Sequence, residues 1–509
     1  MTTRVRDSIA GALSAGIALG VSELIAGLIT GAPSLVEGLG NWVIDNVPTP
    51  VKEWAIAVFG TNDKLVLLIS ITAVTILIGA VVGFVSRKRF WLAVVVFGGF
   101  GAVAVLAALV DPKIAFLDAA IPGVLAVVTG LASLRMLYNL DETPGQAEGD
   151  SSKRSFLIGA GAVLGVAALA GTFGRVLIER AKRAVAGRDD VALPSASESL
   201  PPVPDAASFE VEGLEQILVP NDDFYRIDTA LSVPRINLQE WTLSITGLVD
   251  QPYSVEFADL LDMRMIERDV TLSCVSNQVG GGLVGNARWL GVPLTEILDR
   301  AGVQSSAEQI VGRSVDEFTV GFPVEAAYDG REALVAVGMN GEPLPFEHGF
   351  PARLVVAGLY GYVSATKWLS EIELTTWDGF DAYWVPRGWA KEAPIKTQSR
   401  IDTPGRDSSI AVGDHVVAGV AWAPTRGVQR VEAQLGEDSD WVEAELSEPL
   451  SDNAWVQWRV DWSVAEPGRY QLRCRATDGE GNTQTSEVTP PAPDGATGWH
   501  TKVVTVTEA

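Results

Sequence analysis

Apolar positions are distributed unevenly along the 509 residues, and the pattern changes twice. Three long apolar runs come early: "KLVLLISITAVTILIGAVVGFVS" (64–86), "FWLAVVVFGGFGAVAVLAALV" (90–110) and "IAFLDAAIPGVLAVVTGLASLRMLY" (114–138). A fourth, "SFLIGAGAVLGVAALAGTFGRVLI", covers 155–178. Crossing about 30 Å of hydrocarbon takes roughly 20 residues, so each run predicts a transmembrane helix. Asp118 lies near the start of the third run, where the interface can hydrate it. Residues 8–30 predict a fifth span despite Glu23, a carboxylate that in lipid is expected to face the bundle interior. Residues 33–60 contain Pro48, Pro50 and several charges and read as an interfacial or re-entrant hairpin. The expected first domain is a transmembrane helical region of about five spans, residues 1–183.

Periodicity then disappears. Residues 184–206 are dominated by Pro, Ser and Ala and read as a linker. Residues 207–400 mix alternating stretches such as "WTLSITGLV" (241–249) with helix-like ones such as "VPLTEILDRAGV" (292–303), which predicts an α+β domain. From 401 to 509 the pattern is short alternating strands: "HVVAGVAW", "VQRVEAQL", "WVEAEL", "AWVQWRVDW", "RYQLRCRATD" and "TKVVTVTE". Turn signals such as "APTRG", "AEPG" and "DGEGN" separate many of them, which predicts an immunoglobulin-like β-sandwich.

Charge sharpens this division. The net charge is −25, yet residues 1–188 carry 16 Lys and Arg against 13 Asp and Glu, while 189–509 carry 22 against 50. An acidic soluble part argues against nucleic acid, whose phosphates need clustered cations. Basic residues flank the spans at Arg4 and Arg6, at Arg87, Lys88 and Arg89, and at Lys153 and Arg154. With five spans all three clusters fall on the cytoplasmic side, and the chain after residue 180 is expected outside the cell membrane. Arg180, Lys182 and Arg183 oppose that orientation. "SKRSFL" (152–157) before an apolar span is similar to a twin-arginine export signal, with Lys153 replacing the first arginine. "GAGAVLG" (159–165) lies inside a span with no strand before it, so it reads as helix packing through small residues and not as a phosphate loop.

Candidate chemistry is sparse. The three histidines are His348, His415 and His500, so none is available for a haem between the predicted helices. Cys274 and Cys474 are the two cysteines, which gives no disulfide framework and no CxxC zinc motif. Cys474 sits on an alternating strand and reads as a small buried hydrophobe. Cys274, in "TLSCVSNQVGG" (271–281), stands between a strand-like run and a glycine-rich loop. Taken alone, it is either a buried structural residue or a thiolate reserved for a metal or covalent chemistry.

The order of pieces is more specific. "NDDFYRIDTAL" (221–231) precedes "WTLSITGLVDQP", then "TLSCVSNQVGGGLVGNARWLGVPL" (271–294), then "MNGEPLPFEHGFPARLVVAGLYGYVSATKWLSEIEL" (339–374). This series, over about residues 215–395, resembles the sulfite-oxidase-like family of molybdopterin enzymes, including its protein-methionine-sulfoxide reductase branch. The C-terminal sandwich is similar to that family's dimerisation domain, which implies a possible homodimer. The resemblance implies a molybdenum–molybdopterin cofactor with Cys274 as the catalytic residue and metal ligand, a soft thiolate that suits the metal. It implies cofactor contacts from Asp222, Tyr225, Arg226, Ser314, His348, Arg353, Ala365, Thr366 and Lys367. Where sulfite oxidases carry Asn-His after the arginine matching Arg226, this chain has Ile227 and Asp228. The sulfoxide-reductase branch has asparagine at the place of Asp222. Neither a cytochrome b5 nor a haem c motif accompanies the domain.

The expectation is a membrane-anchored, extracytoplasmic oxidoreductase. It would carry out two-electron redox or oxygen-atom transfer on a small or sulfur-containing substrate. A separate electron-transfer protein or a quinone, the latter among the helices near Glu23, would be its redox partner, and no haem is expected in the chain. The alternatives are a cofactor-binding or scaffold protein of the same fold without turnover, and a transporter-like module using the outer domain as a receptor.

Overall fold

The computed structural model describes residues 3–29, 32–48, 51, 54–55, 58–59, 62–110, 114–142, 150–231, 233–405 and 408–508. The chain divides into two units, one of residues 1–186 with 230–233 and one of 187–229 with 234–509.

The first unit is helical. Five of its helices, Thr3–Leu28, Asp63–Ser86, Trp91–Ala108, Phe116–Glu142 and Asp150–Ala186, contain stretches long and apolar enough to cross a membrane. Of the region read as a hairpin, Leu35–Asn46 is a helix capped by Ser34, while much of 49–61 lies outside the described residues. Thr3–Leu28 is the most enclosed of the five. Its small residues allow close approach: Gly11 has no room for a side chain against Gly79 and Gly83 of the next long helix. Outward positions carry large apolar side chains such as Leu77 and Leu169. Glu23 is buried and paired, with Arg175 Nε at 3.0 Å and Ser34 Oγ donating at 2.6 Å. Asp7 meets Arg87 at 2.7 Å. These two buried carboxylates therefore each have an opposite partner, as a low-dielectric setting demands.

In the second unit, the segment read as a linker lies along the domain. Val191 and Leu193 pack on its core, Ser197 N donates to Met265 O, and Glu198 pairs with Ile266. Backbone hydrogen bonds order it where side-chain periodicity gave no signal. The α+β part holds two sheets. One runs in the order Tyr253–Glu256, Thr242–Gly247, Leu369–Thr375, Gln309–Ser314, Thr319–Pro323. The other runs Ile266–Ser273, Val284–Pro293, Ala333–Met339, Glu342–Pro343, with Arg353–Val356 also pairing Ala333–Met339. Asn340 and Gly341, both at positive φ, turn the chain tightly between the third and fourth of these strands.

The C-terminal part is a sandwich. A four-stranded sheet (Gln398–Thr403, Gly413–Trp422, Val456–Val464, Glu445–Leu446) faces a five-stranded one (Ser409–Ala411, His500–Thr507, Gly468–Asp478, Val428–Leu435, Trp441–Glu443). Trp458 and Val417 from the first sheet share a core with Val431, Leu472, Cys474 and Val504 from the second. Its first strand starts at Gln398, slightly ahead of the boundary read from the sequence. The sandwich is not independent of the α+β part. Val420, Trp422 and Trp455 belong to the core that contains Trp289 and Leu272. Thr271 donates its backbone N–H to Asn453 O and accepts from Trp455 N.

Candidate functional site

Cys274 follows the strand Ile266–Ser273, whose last residues, Val270 to Ser273, are all buried. The chain then forms a compact loop. Cys274 N donates to Leu283 O, Asn277 N to Cys274 O, and Leu283 N to Asn277 Oδ1, all at 2.9–3.0 Å. Cys274 itself retains 8% exposure. Burial pushes its thiol up from the ordinary value, and hydrogen bonding from Ser276 opposes this only in part. A thiol raised in this way stays protonated near neutral pH. Metal coordination would displace the thiol proton directly. Cys474, pushed up to about 12 by burial, lies fully inside the sandwich and receives a hydrogen bond from Ser399.

Gly361 marks where the pieces meet. A Cβ there would stand 3.7 Å from Ser273 O, 4.0 Å from Tyr225 Oη and 3.6 Å from Ala365 Cβ. The end of the cysteine strand, the "DFYR" segment and the "SATK" segment thus converge on one backbone position. Burial first, and then the charge of Cys274, drives the Tyr225 phenol well above its ordinary range, while Arg353 acts in the opposite sense. Tyr225 therefore lies within electrostatic reach of both the thiol and the guanidinium.

Behind Tyr225 the aromatic packing is continuous. Phe224 stacks on Tyr225 with centroids 5.2 Å apart and meets the rings of His348 and Trp289 edge-on. His348 Nε2–H donates to Asn221 O at 3.0 Å. Asn221 also donates to Met339 O and accepts from Asn340 Nδ2. Burial and the nearby Arg353 hold His348 down at about 4, so it is neutral at neutral pH. The histidine and arginine of "HGFPARL" touch through the backbone, with Arg353 Nη1 donating to His348 O at 3.1 Å. Gly349, at φ +111°, lets that motif meet "TKW": a Cβ there would lie 3.0 Å from Lys367 Cα and 3.1 Å from Arg353 Cβ.

The cations are the informative feature. Arg353 is buried, lies over the Trp289 ring at 5.0 Å, and donates to the carbonyls of His348 and Leu354. Burial lowers it to about 10. A guanidinium whose described contacts are carbonyls and a ring, with no carboxylate among them, is an unneutralised buried charge, costly unless an anion binds there. Lys367 is also buried and lowered to about 8, with Asp228 opposing the shift. Asp228 lies 2.8 Å from Lys367 Nζ and 2.8 Å from Arg226 Nε. Thr366 is fully buried, and its Oγ1 has no hydrogen-bond partner.

Ser314 is buried on the strand Gln309–Ser314, where its Oγ accepts from Asp316 N. Asp316 feels both Asp228 and Lys367, and burial raises its carboxyl. Asp222 is exposed, and its neighbour Asn221 makes the hydrogen bonds at this corner. Sequence reading missed Asn221, Asn340 and Asp316, and took Asp228 only as a departure from the family pattern. Only Asn340 carried a local signal, the Asn-Gly pair of a tight turn. Among the described residues, no three His, Cys, Asp or Glu side chains gather as a metal site.

Residues 230–384 match the family model described as the oxidoreductase molybdopterin binding domain. This chain carries a molybdopterin-binding domain of the sulfite-oxidase type. Sulfite oxidase of Rattus norvegicus is 28% identical over 323 residues, covering 54% of this chain and 59% of the relative. A nitrate reductase of Brassica napus is 27% identical over 316 residues, covering 50% of this chain and 34% of the relative. The chain thus spans 59% of the length of the Rattus norvegicus sulfite oxidase. The sulfane dehydrogenase SoxCD of Paracoccus pantotrophus shares the fold, with TM-score 0.50, 24% identity and coverage of 58% of this chain and 85% of that one.

The donor set of the molybdopterin domain fits its cofactor. An unneutralised buried guanidinium suits a phosphate, and neutral His348 and unpartnered Thr366 Oγ1 suit a polar heterocycle edge. The Cys274 thiol, in the loop after the strand end and less enclosed than Cys474, suits a metal that takes its other ligands from the cofactor.

Proposed function

We propose that the chain is a membrane-anchored, extracytoplasmic molybdopterin oxidoreductase with Cys274 as the protein ligand to molybdenum. Bound there, the cofactor would supply two-electron redox or oxygen-atom transfer chemistry to a small or sulfur-containing substrate. Arg353 and Lys367 would hold its phosphate, with help from Arg226 and the Thr366 region. His348 would present Nδ1 as an acceptor, since Nε2–H is committed to Asn221 O. Tyr225, kept protonated by burial, would remain a hydrogen-bond donor beside the metal. The sulfite oxidases and nitrate reductase among the relatives support the redox class. The five apolar helices, by length and composition, support the anchor, and the basic flanks support the outward orientation. The C-terminal sandwich would be the immunoglobulin-like module of this family and a route to a homodimer. Electrons would pass to a separate electron-transfer protein or a quinone.

One observation carries the reading: at Gly361 the end of the Cys274 strand, the Tyr225 hydroxyl and the segment leading to Lys367 converge, and the buried Arg353 stands in the same motif set with no carboxylate among its described contacts. Elemental and pterin analysis of purified full-length protein tests it. About one molybdenum per chain is expected, with activity and the Mo(V) resonance altered in Cys274→Ser and unaltered in Cys474→Ser. Wild-type protein from cofactor-producing cells that holds neither molybdenum nor pterin refutes it.

A further inference from the structure

The loop after Cys274 is held from an unexpected side. Its tip, Gly280 to Gly282, lies against the C-terminal sandwich. Gly280 has φ +75°, and a side chain there would come within 2.6 Å of His500 Cγ and closer still to Cδ2 and Nε2. The imidazole therefore rests directly on the Gly280 backbone. His500 is itself held, since its Nδ1 accepts from Ile401 N at 2.9 Å. Next to it, Arg400 Nη1 donates to Gly281 O at 3.2 Å. Arg400 is buried and fixed by Asp402 at 2.6 Å and Glu215 at 3.3 Å. Beside these contacts the loop borders a polar cleft of about 410 Å³, lined by Glu215, Gly280, Gly282, Arg400, Asp402 and Lys502. The cleft leaves that side of the tip open, so the imidazole and the guanidinium are prominent among its supports.

Position at the tip reaches the thiol through few bonds. Cys274 N and O both hydrogen-bond within the loop, to Leu283 O and from Asn277 N. Asn277 in turn receives Leu283 N. A displaced tip therefore moves the residues that orient Cys274. We infer that Arg400 and His500 are positioning residues for Cys274, so that the sandwich sets the geometry of the cysteine in the neighbouring domain. As a statement about the metal centre, this rests on the reading of Cys274 as the ligand. As a statement about the thiol, it stands without it.

The test uses cofactor-free full-length protein and the rate at which iodoacetamide alkylates each cysteine, read by mass spectrometry. Cys474, fully buried in the same sandwich, is the internal control. His500→Ala and Arg400→Met are expected to raise alkylation of Cys274 about tenfold, by favouring local opening of the loop, with Cys474 unchanged. Gly280→Ala, which pushes the same contact from the loop side, is expected to do likewise. In cofactor-loaded protein the Mo(V) electron paramagnetic resonance g-values should shift in the same variants. Alkylation of Cys274 that stays within twofold of wild type in all three overturns the inference. So does a parallel rise at Cys474, which would mean the side chains only hold the sandwich together. Wild-type protein without molybdenum would sink the functional reading and leave the alkylation result standing.

Discussion

Lys367 Nζ lies 2.8 Å from a carboxylate oxygen of Asp228, whose side chain is only 3% exposed. The same carboxylate meets Arg226 Nε at 2.8 Å. One buried anion thus sits between two cations that the family resemblance assigns to the cofactor. Sulfite oxidases place histidine at this position, so the carboxylate is a local departure. It offsets part of the desolvation that lowers Lys367 to about 8.

Asp228→Asn should therefore destabilise cofactor-free protein. Breaking a buried pair by removing one partner costs about 3–5 kcal/mol. Lys367, no longer opposed by the carboxylate, should titrate below 8 and lose charge near neutral pH. A bound phosphate would substitute for the missing anion. Urea unfolding of the loaded variant is therefore expected to show a much smaller loss than the cofactor-free variant. Equal losses in both states would mean that Asp228 and the cofactor do not share Lys367.

Arg353 predicts the opposite pattern. Its guanidinium is buried among carbonyls and the Trp289 ring, so in the cofactor-free chain it is mainly a desolvation cost. Arg353→Met keeps much of the volume and removes the charge. Cofactor-free stability should be unchanged or higher, by about 1 kcal/mol or more, while retained pterin falls sharply. Fluorescence of the released, oxidised pterin checks the second part. A variant that unfolds more easily yet keeps its pterin would make Arg353 a structural residue.

His348 sets an acid limit. Its folded-state value is about 4 against an ordinary 6.5, so between these values the unfolded chain binds a proton that the folded chain refuses. Its contribution to stability is complete above pH 6.5 and is lost as the pH falls towards 4, to a maximum of about 3 kcal/mol. His348→Gln should lose less stability between pH 7 and 4.5 than wild type, measured as the shift in urea midpoint of cofactor-free protein. Identical shifts would show that other groups account for the acid limb.

These residues show where sequence reading stops. Uninterrupted apolar runs located the long helices because length and composition are summed over some twenty positions. The strands of the sandwich were legible because alternation survives on a half-buried sheet, as in Val456–Val464. Cys274, His348, Arg353 and Lys367 were legible through the order of motifs. The approach of Arg353 to Lys367 at Gly349, and of Ser273, Tyr225 and Ala365 at Gly361, was not, because it depends on backbone approach between distant segments. Asp228 stood out in the sequence only as a departure from the family pattern, and its burial between two cations is a property of packing. The linker reading failed to anticipate an ordered segment because backbone pairing such as Ser197 with Met265 leaves no side-chain period.

The helical unit offers a last case. Glu23 is buried beside Arg175 and Ser34, and Arg175 also pairs with Glu37. Two carboxylates sharing one guanidinium, across three helices, form an ion network that fastens those helices together. The network reads as structural, although a quinone site near Glu23 would use the same carboxylate as a proton acceptor. The two roles predict different outcomes. Removing the cation in Arg175→Gln leaves two carboxylates in a low-dielectric setting and should destabilise the helices by about 3 kcal/mol. Glu23→Gln on that background should restore part of the loss, because an amide needs no counter-ion, with a coupling above about 0.5 kcal/mol in the double-mutant cycle. Thermal aggregation of the detergent-solubilised protein reads both. Turnover with an artificial electron carrier should be unchanged by Glu23→Gln alone, and so should turnover with a membrane quinone. A Glu23→Gln protein that is as heat-stable as wild type, works with the artificial carrier and fails with the quinone would overturn the structural role and place the quinone at Glu23.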